Sequence, residues 1–192
     1  MKKTLILTVL AIIAIGYISC EKPKPDPDTE FIIVTYDPEI VVSTEQGYAF
    51  DKYYTKLPLD IDQDGVDDII IYPVNQSAIT NAYLYFNSCH EHCFISNNRQ
   101  NGFIIGLYYG DIIDEKLQWI NNSIDLLFPN REKEQFLAIK LLQDDVVYYG
   151  WVSVKTKFGQ FPNSVSTQTY YVVEKYAYCK IPNKIITAGQ VK

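Results

Sequence analysis

Leu57-Pro58-Leu59-Asp60-Ile61-Asp62-Gln63-Asp64-Gly65-Val66-Asp67-Asp68-Ile69-Ile70-Ile71-Tyr72 decides how this chain is read. From Asp60, acidic side chains fall at positions 1, 3, 5 and 9 of the run, with Gly at position 6. That order presents oxygens to Ca²⁺, a hard cation that takes about 6–8 of them at roughly 2.3–2.6 Å. Asp60, Asp62 and Asp64 would supply the first three side chains, the Val66 carbonyl the next oxygen, and Asp68 a further one, directly or through water. Gly65 allows the sharp turn, because glycine takes positive φ without penalty. The alternative is a bare acidic turn, which leaves five closely spaced Asp repelling one another.

The flanks set the secondary structure around the loop. A helical EF-hand needs amphipathic helices on both sides and a bidentate Glu at position 12. Position 12 here is Ile71. Pro58 lies just before the loop, and Ile69-Ile70-Ile71-Tyr72 after it is β-branched and aromatic, so both flanks read as strands. The loop is expected at the tip of a β-hairpin.

Working outward, the chain is rich in strand formers, with 16 Tyr among 192 residues. Strands are expected over 31–36 and 40–44, split by Asp37-Pro38, and over 48–56. Asn81–Asn87 alternates, with Ala82, Leu84 and Phe86 on one face and Tyr83 and Tyr85 on the other. Further strands are expected over 103–109, 124–128, 134–142, 146–156, 167–179 and 185–187. Lys116 to Asn121, around Trp119, reads as a short helical turn or loop. A hairpin is expected across Gln143-Asp144-Asp145. Short strands at this spacing predict an all-β, two-sheet antiparallel sandwich of jelly-roll type with one calcium-binding hairpin loop.

Two resemblances bear on this reading. The Asp60–Asp68 loop resembles the Asp-rich loops of FG-GAP and integrin-type propeller repeats and of thrombospondin type 3 repeats, which implies calcium and little about activity. A propeller needs several such repeats, and this chain has one. Tyr149-Gly150-Trp151-Val152, then Lys175-Tyr176-Ala177-Tyr178, then Pro182, Ile185 and Ala188-Gly189 is similar to the closing part of secreted bacterial β-sandwich proteins, most of unknown function. Trp151 and the Tyr-Ala-Tyr run, by their alternation, are expected to pack in the core.

Residues 1–19 read as an export signal. Met1-Lys2-Lys3 is basic, and the apolar run from Leu5 to Ile18 is short for a membrane span. It closes on Ser19-Cys20, which resembles the end of a bacterial lipoprotein signal and implies lipidation of Cys20. Residues 20–30 form the anchor and a Pro- and charge-rich tether that cannot build a core. Such tethers resemble those of Bacteroidetes lipoproteins, which implies an outer-membrane protein, periplasmic or surface-exposed, held by its lipid. Residues 31–192 then form one domain. The net charge is −6, and loss of Lys2 and Lys3 takes it to about −8. That balance argues against nucleic acid as a partner.

Cys89, Cys93 and Cys179 remain, and an exported chain can oxidise them. Any pair among the three is open on sequence alone. Cys89-His90-Glu91-His92-Cys93 also carries both histidines; a disulfide turn, free thiols and a transition-metal site all stay open there. No nucleophile motif or phosphate loop is recognisable. Glu115, Asp125, Glu132, Glu134 and Glu174 are available carboxylates, but nothing pairs them. The expectation is a cell-envelope binding, adhesion or structural module without catalysis, its partner a glycan or an envelope protein. The alternative is a carbohydrate-active hydrolase with carboxylates placed by the fold.

Overall fold

The computed structural model describes residues 29–42, 53–54, 56–74, 83–100, 103–122, 124–127, 133–160 and 167–192. The expected signal at 1–19, the expected lipidation site Cys20 and the tether up to 28 lie outside the described residues, as do 43–52 and 55 of the expected early strands.

The described residues are all-β, without a helix. The strands are β1 (Phe31–Val42), β2 (Tyr53–Tyr54), β3 (Leu57–Leu59), β4 (Ile69–Val74), β5 (Tyr83–Ser88), β6 (Cys93–Ser96), β7 (Arg99–Gln100), β8 (Phe103–Ile105), β9 (Ile112–Ile113), β10 (Trp119–Ile120), β11 (Ile124–Leu127), β12 (Glu134–Gln143), β13 (Val146–Gln160), β14 (Thr167–Cys179) and β15 (Ile186–Thr187). One sheet runs β10-β6-β12-β13-β14-β1-β2, the other β3-β4-β5-β11-β8-β7, and β15-β9 is a small third ladder. Pairing is antiparallel except for two short parallel pairs, β1 with β2 and β8 with β11. The chain places β9 and β10 between β8 and β11, the kind of long connection that parallel neighbours require.

Both large sheets contribute to one apolar cluster. Leu57, Leu59, Ile69, Ile71, Leu84 and Phe86 come from the six-stranded sheet; Ile95, Leu137, Ile139, Val152, Val154 and Val173 come from the seven-stranded one. The alternation expected for β5 holds, with Leu84 and Phe86 fully buried and Tyr85 half-buried. The seven-stranded sheet also buries its other face. Phe136, Ala138, Tyr149, Trp151 and Ala177 pack there against Leu107, Ile113, Ile186 and Ala188. Burial on both faces explains the unbroken apolar run Phe136-Leu137-Ala138-Ile139, where a half-exposed strand would alternate.

Three differences from the sequence reading have local causes. Phe31–Val42 is one strand rather than two, because its ladder with β14 slips between Thr35 and Ile40 and absorbs Asp37-Pro38 in a bulge. Trp119–Ile120 is a short strand on Ile95 and Ser96 rather than a helical turn or loop. Cys93–Ser96 and Ile112–Ile113, which the sequence did not mark, are too short to carry a period. The hairpin at Gln143-Asp144-Asp145-Val146 forms as expected, with Gln143 paired to Val146. Its two central residues both take positive φ, as a two-residue turn between twisted strands demands.

Gly150 sits where β13 meets β14, and a Cβ there would stand 2.7 Å from the Ala177 carbonyl oxygen. That oxygen belongs to the ladder and cannot retreat as a side chain would. Gly150→Ala is therefore expected to destabilise the domain by about 1–3 kcal/mol, read as a lower urea midpoint. A midpoint within error of wild type would show that the two strands can separate freely at this point.

Candidate metal centre

The Asp loop connects β3 to β4, whose short ladder pairs Leu57 with Ile71 and Leu59 with Ile69. Leu59, Ile61 and Ile69 are buried in the inter-sheet cluster. Ile61 is the loop's apolar anchor: it is fully buried between two Asp that are not. The Asp68 amide closes the loop by donating to the Leu59 carbonyl at 2.9 Å. Gln63 and Gly65 both take positive φ and turn the chain twice.

The loop folds its amides onto its own carboxylates. Gly65 N–H donates to Asp60 Oδ2 at 3.0 Å, Asp64 N–H to Asp62 Oδ1 at 3.0 Å, and Val66 N–H to Asp64 Oδ1 at 2.8 Å. Ile61 N–H donates to Asp68 Oδ2 at 2.7 Å. One oxygen from each of Asp60, Asp62 and Asp68 lies within 4.8 Å of the others. Asp64 is exposed and outside this trio, although the spacing had set it beside Asp60 and Asp62. Val66 is exposed and follows Gly65 at the loop tip. Asp60 Oδ1 is buried and has no hydrogen-bond partner among the described residues. A buried carboxylate oxygen in that state is destabilising unless something positive meets it.

Three groups from distant strands support the loop, and local spacing gave no sign of them. Tyr176 O–H donates to the Asp60 carbonyl at 2.8 Å. The Gln143 side-chain amide donates to Asp62 Oδ2. Tyr178 O–H donates in turn to Gln143 Oε1 at 3.3 Å. The Tyr-Ala-Tyr run thus packs in the core, as its alternation suggested, and also braces the loop through its two hydroxyls.

Burial is the main reason that Asp68 is harder to ionise than a free carboxyl. Asp62 and Asp60 add repulsion, the Ile61 amide opposes it, and the balance takes the group up to about 6. Asp62 is raised as well, first by burial, with the Asp64 and Asp60 charges adding to it against the Asp64 amide and Gln143. All the donors of the trio are carboxylate oxygens, the set preferred by hard divalent cations over soft ones. A cation here would offset the repulsion and meet the orphaned Asp60 oxygen.

This arrangement fixes the sign of a pH effect. In the folded chain without a cation, Asp68 keeps its proton to about pH 6, whereas the unfolded chain loses it near 4. The folded state then binds more protons across that interval, so its stability falls as pH rises through it. Chelator-treated protein is expected to be more stable at pH 4.5 than at pH 7 as far as this group is concerned, and Asp68→Asn to flatten the difference. Urea melts at the two pH values check it; an identical pH slope in Asp68→Asn would remove Asp68 as the cause.

The Cys-His-Glu-His-Cys turn lies beside the loop. The Cys89 amide donates to the Asp68 carbonyl at 2.8 Å. The Ser88 hydroxyl is within reach of the carbonyls of His90 at 2.8 Å and Cys93 at 2.7 Å. His90, Glu91 and His92 are exposed, whereas Cys93 is buried in the inter-sheet cluster. These five residues therefore do not converge on one centre. Burial, then the Asp68 charge, pushes the Cys93 thiol far up.

All three described thiols are free. Cys179 belongs to the cluster on the opposite face of the seven-stranded sheet. Two strands, β12 and β13, separate Cys93 on β6 from Cys179 on β14. At about 4.8 Å per strand the two stand roughly 14 Å apart, far beyond the span of a disulfide. That pairing, which the sequence left open, is excluded by the fold.

Two other residue groups can be placed. Trp151 is fully buried and its indole N–H donates to the Gln190 carbonyl at 3.1 Å, so it is a core residue, as expected. Glu174 and Glu134 pair with Lys155 and Lys175 at 2.5 and 3.4 Å. No family model, no curated protein and no solved structure matches the chain.

Proposed function

We propose that the chain is a calcium-stabilised lipoprotein of the bacterial cell envelope, a binding, adhesion or structural module without catalysis of its own. In this reading the two large sheets form a jelly-roll-type sandwich, the lipid on Cys20 holds it to the outer membrane, and residues 21–30 space it from the surface. The partner is a glycan or an envelope protein. The observation that carries the reading is the convergence of Asp60, Asp62 and Asp68 at the tip of the β3–β4 hairpin, with a buried Asp60 oxygen that has no partner among the described residues. Ca²⁺ is preferred to Mg²⁺ in this reading because several protein carboxylates converge on one point, as suits a cation that takes about 6–8 oxygens, whereas Mg²⁺ demands near-octahedral geometry and keeps several waters. Val66 and Asp68 would follow the trio's first two members in the order the sequence suggests, with Asp64 as an outer neighbour.

The anchoring half of the proposal is tested by fractionating cells that express the full chain. Wild type is expected in the membrane fraction with acyl groups on Cys20, and Cys20→Ala in the soluble fraction, since several acyl chains hold where one does not. An unacylated Cys20 in a membrane-bound chain would overturn it.

A carbohydrate-active hydrolase remains the second reading. It cannot use Glu134 and Glu174 freely, because both are held by lysines. Among the carboxylates that remain, Asp64, Asp144 and Asp145 line one concavity. Hydrolysis of nitrophenyl glycosides that is lost in Asp144→Asn would favour this reading.

A further inference from the structure

A cleft of about 550 Å³ opens beside the Asp loop. Three segments far apart in sequence build it. Asp62, Asp64 and Asp68 form one wall, His90 and His92 a second, and the hairpin turn Gln143-Asp144-Asp145 a third. The cleft is within the size range of small-ligand sites. The Gln143 amide, bonded to Asp62, ties two of the walls together.

We propose that this cleft binds a neutral polyhydroxyl ligand, a sugar with adjacent hydroxyls, which completes the coordination of the loop's cation. The inference rests on the calcium reading above and names the ligand class for that site. Two members of the trio, Asp62 and Asp68, line the cleft, so a cation held there lies at its wall. Ca²⁺ takes about 6–8 oxygens, more than three carboxylates and one carbonyl provide singly. The remaining positions go to water or to a ligand's oxygens.

The walls then select among ligand classes. Among the described residues no Lys or Arg lines the cleft, and Asp64, Asp144 and Asp145 are not part of the trio. An anionic ligand would be drawn to the cation but repelled by these three carboxylates. A cationic amine would suit the carboxylates but has no lone pair free for the cation, which repels it. A neutral diol satisfies both: its oxygens face the cation and its O–H groups donate to the carboxylates. Hydrogen bonds to charged acceptors are the stronger kind. His90 and His92 offer ring nitrogens from the remaining wall.

The test is saturation-transfer NMR on the full chain in detergent micelles, with calcium and with chelator. The probes are mannose, galactose, fucose and glucose, with spermidine as the cationic probe and glucuronate as the anionic one. At least one neutral sugar is expected to respond in calcium and to fall silent in chelator. Asp144→Asn/Asp145→Asn keeps residues that accept positive φ and leaves the trio untouched. It is expected to weaken the sugar about tenfold, the loss of one charge-assisted hydrogen bond, while calcium affinity stays within about threefold, since exposed charges are screened. Calcium binding with no sugar response, a sugar response that survives chelator, or a preference for spermidine or glucuronate overturns the ligand class and leaves the ion site standing. Absence of calcium binding removes the ion site, and the ligand site with it.

Discussion

Chelation is expected to lower the melting temperature of the wild-type chain by roughly 5–10 °C, and Asp60→Ala or Asp62→Ala to abolish the difference. A ligand that binds only the native state stabilises by about 2.7 kcal/mol at a hundred times its dissociation constant. For a domain of this size each kcal/mol moves the midpoint by about 2–4 °C. Asp60 and Asp62 belong to the trio whose oxygens approach within 4.8 Å, so either truncation removes a ligand. Asp64 lies outside it and has one oxygen occupied by the Val66 amide, so Asp64→Ala is expected to keep most of the response. Scanning calorimetry with and without chelator separates the three variants. Equal loss in all three would return Asp64 to the inner set, and no loss in any would dissolve the site.

The larger effect is expected from the core of the seven-stranded sheet. Trp151 is fully buried, meets the edge of Phe136 at a centroid distance of 5.2 Å and donates its indole N–H to Gln190. Truncation of a buried Trp typically costs about 3–5 kcal/mol, and the stranded Gln190 carbonyl adds to it. Trp151→Ala is expected to melt about 10 °C or more below wild type, and Trp151→Phe to recover much of the loss. The same side chain pins the C-terminal segment, so the Ala variant should also be cleaved sooner near residues 186–192. A variant that melts like wild type would mean that the outer cluster contributes little, and that the inter-sheet cluster alone sustains the fold.

The sequence yielded the strands whose pattern was local. Leu84 to Asn87 alternates because Leu84 and Phe86 are buried while Tyr85 and Asn87 are only half-buried. The β12–β13 hairpin was legible because two acidic residues interrupt two long apolar runs. Phe136 to Ile139 was legible as a strand but not in its facing, since both faces are buried and alternation carries no information. The split expected at Asp37-Pro38 failed for a physical reason: a bulge on β1 accommodates the proline without ending the ladder.

The site divides the same way. Asp60, Asp62 and Asp68 follow from spacing alone, because the loop is short and Gly65 dictates its turn. The exposure of Asp64 does not follow from spacing, since the second reversal at Gln63 is not marked by a glycine. Gln143 and Tyr176 are separated from the Asp residues they support by 81 and 116 positions. Only the packing of β12 and β14 against the loop brings them there. Excluding a Cys93–Cys179 bridge required the strand order, which no local pattern encodes.

Calcium binding at the Asp loop is tested most directly by a calorimetric titration of calcium into the chelator-stripped full chain at pH 7. Saturable binding of one ion per chain is expected, weakened at pH 5 as protons compete at Asp68, and absent in Asp62→Ala. No saturable heat, together with melting curves that coincide with and without calcium, would contradict it and leave the Asp loop an ordinary acidic turn.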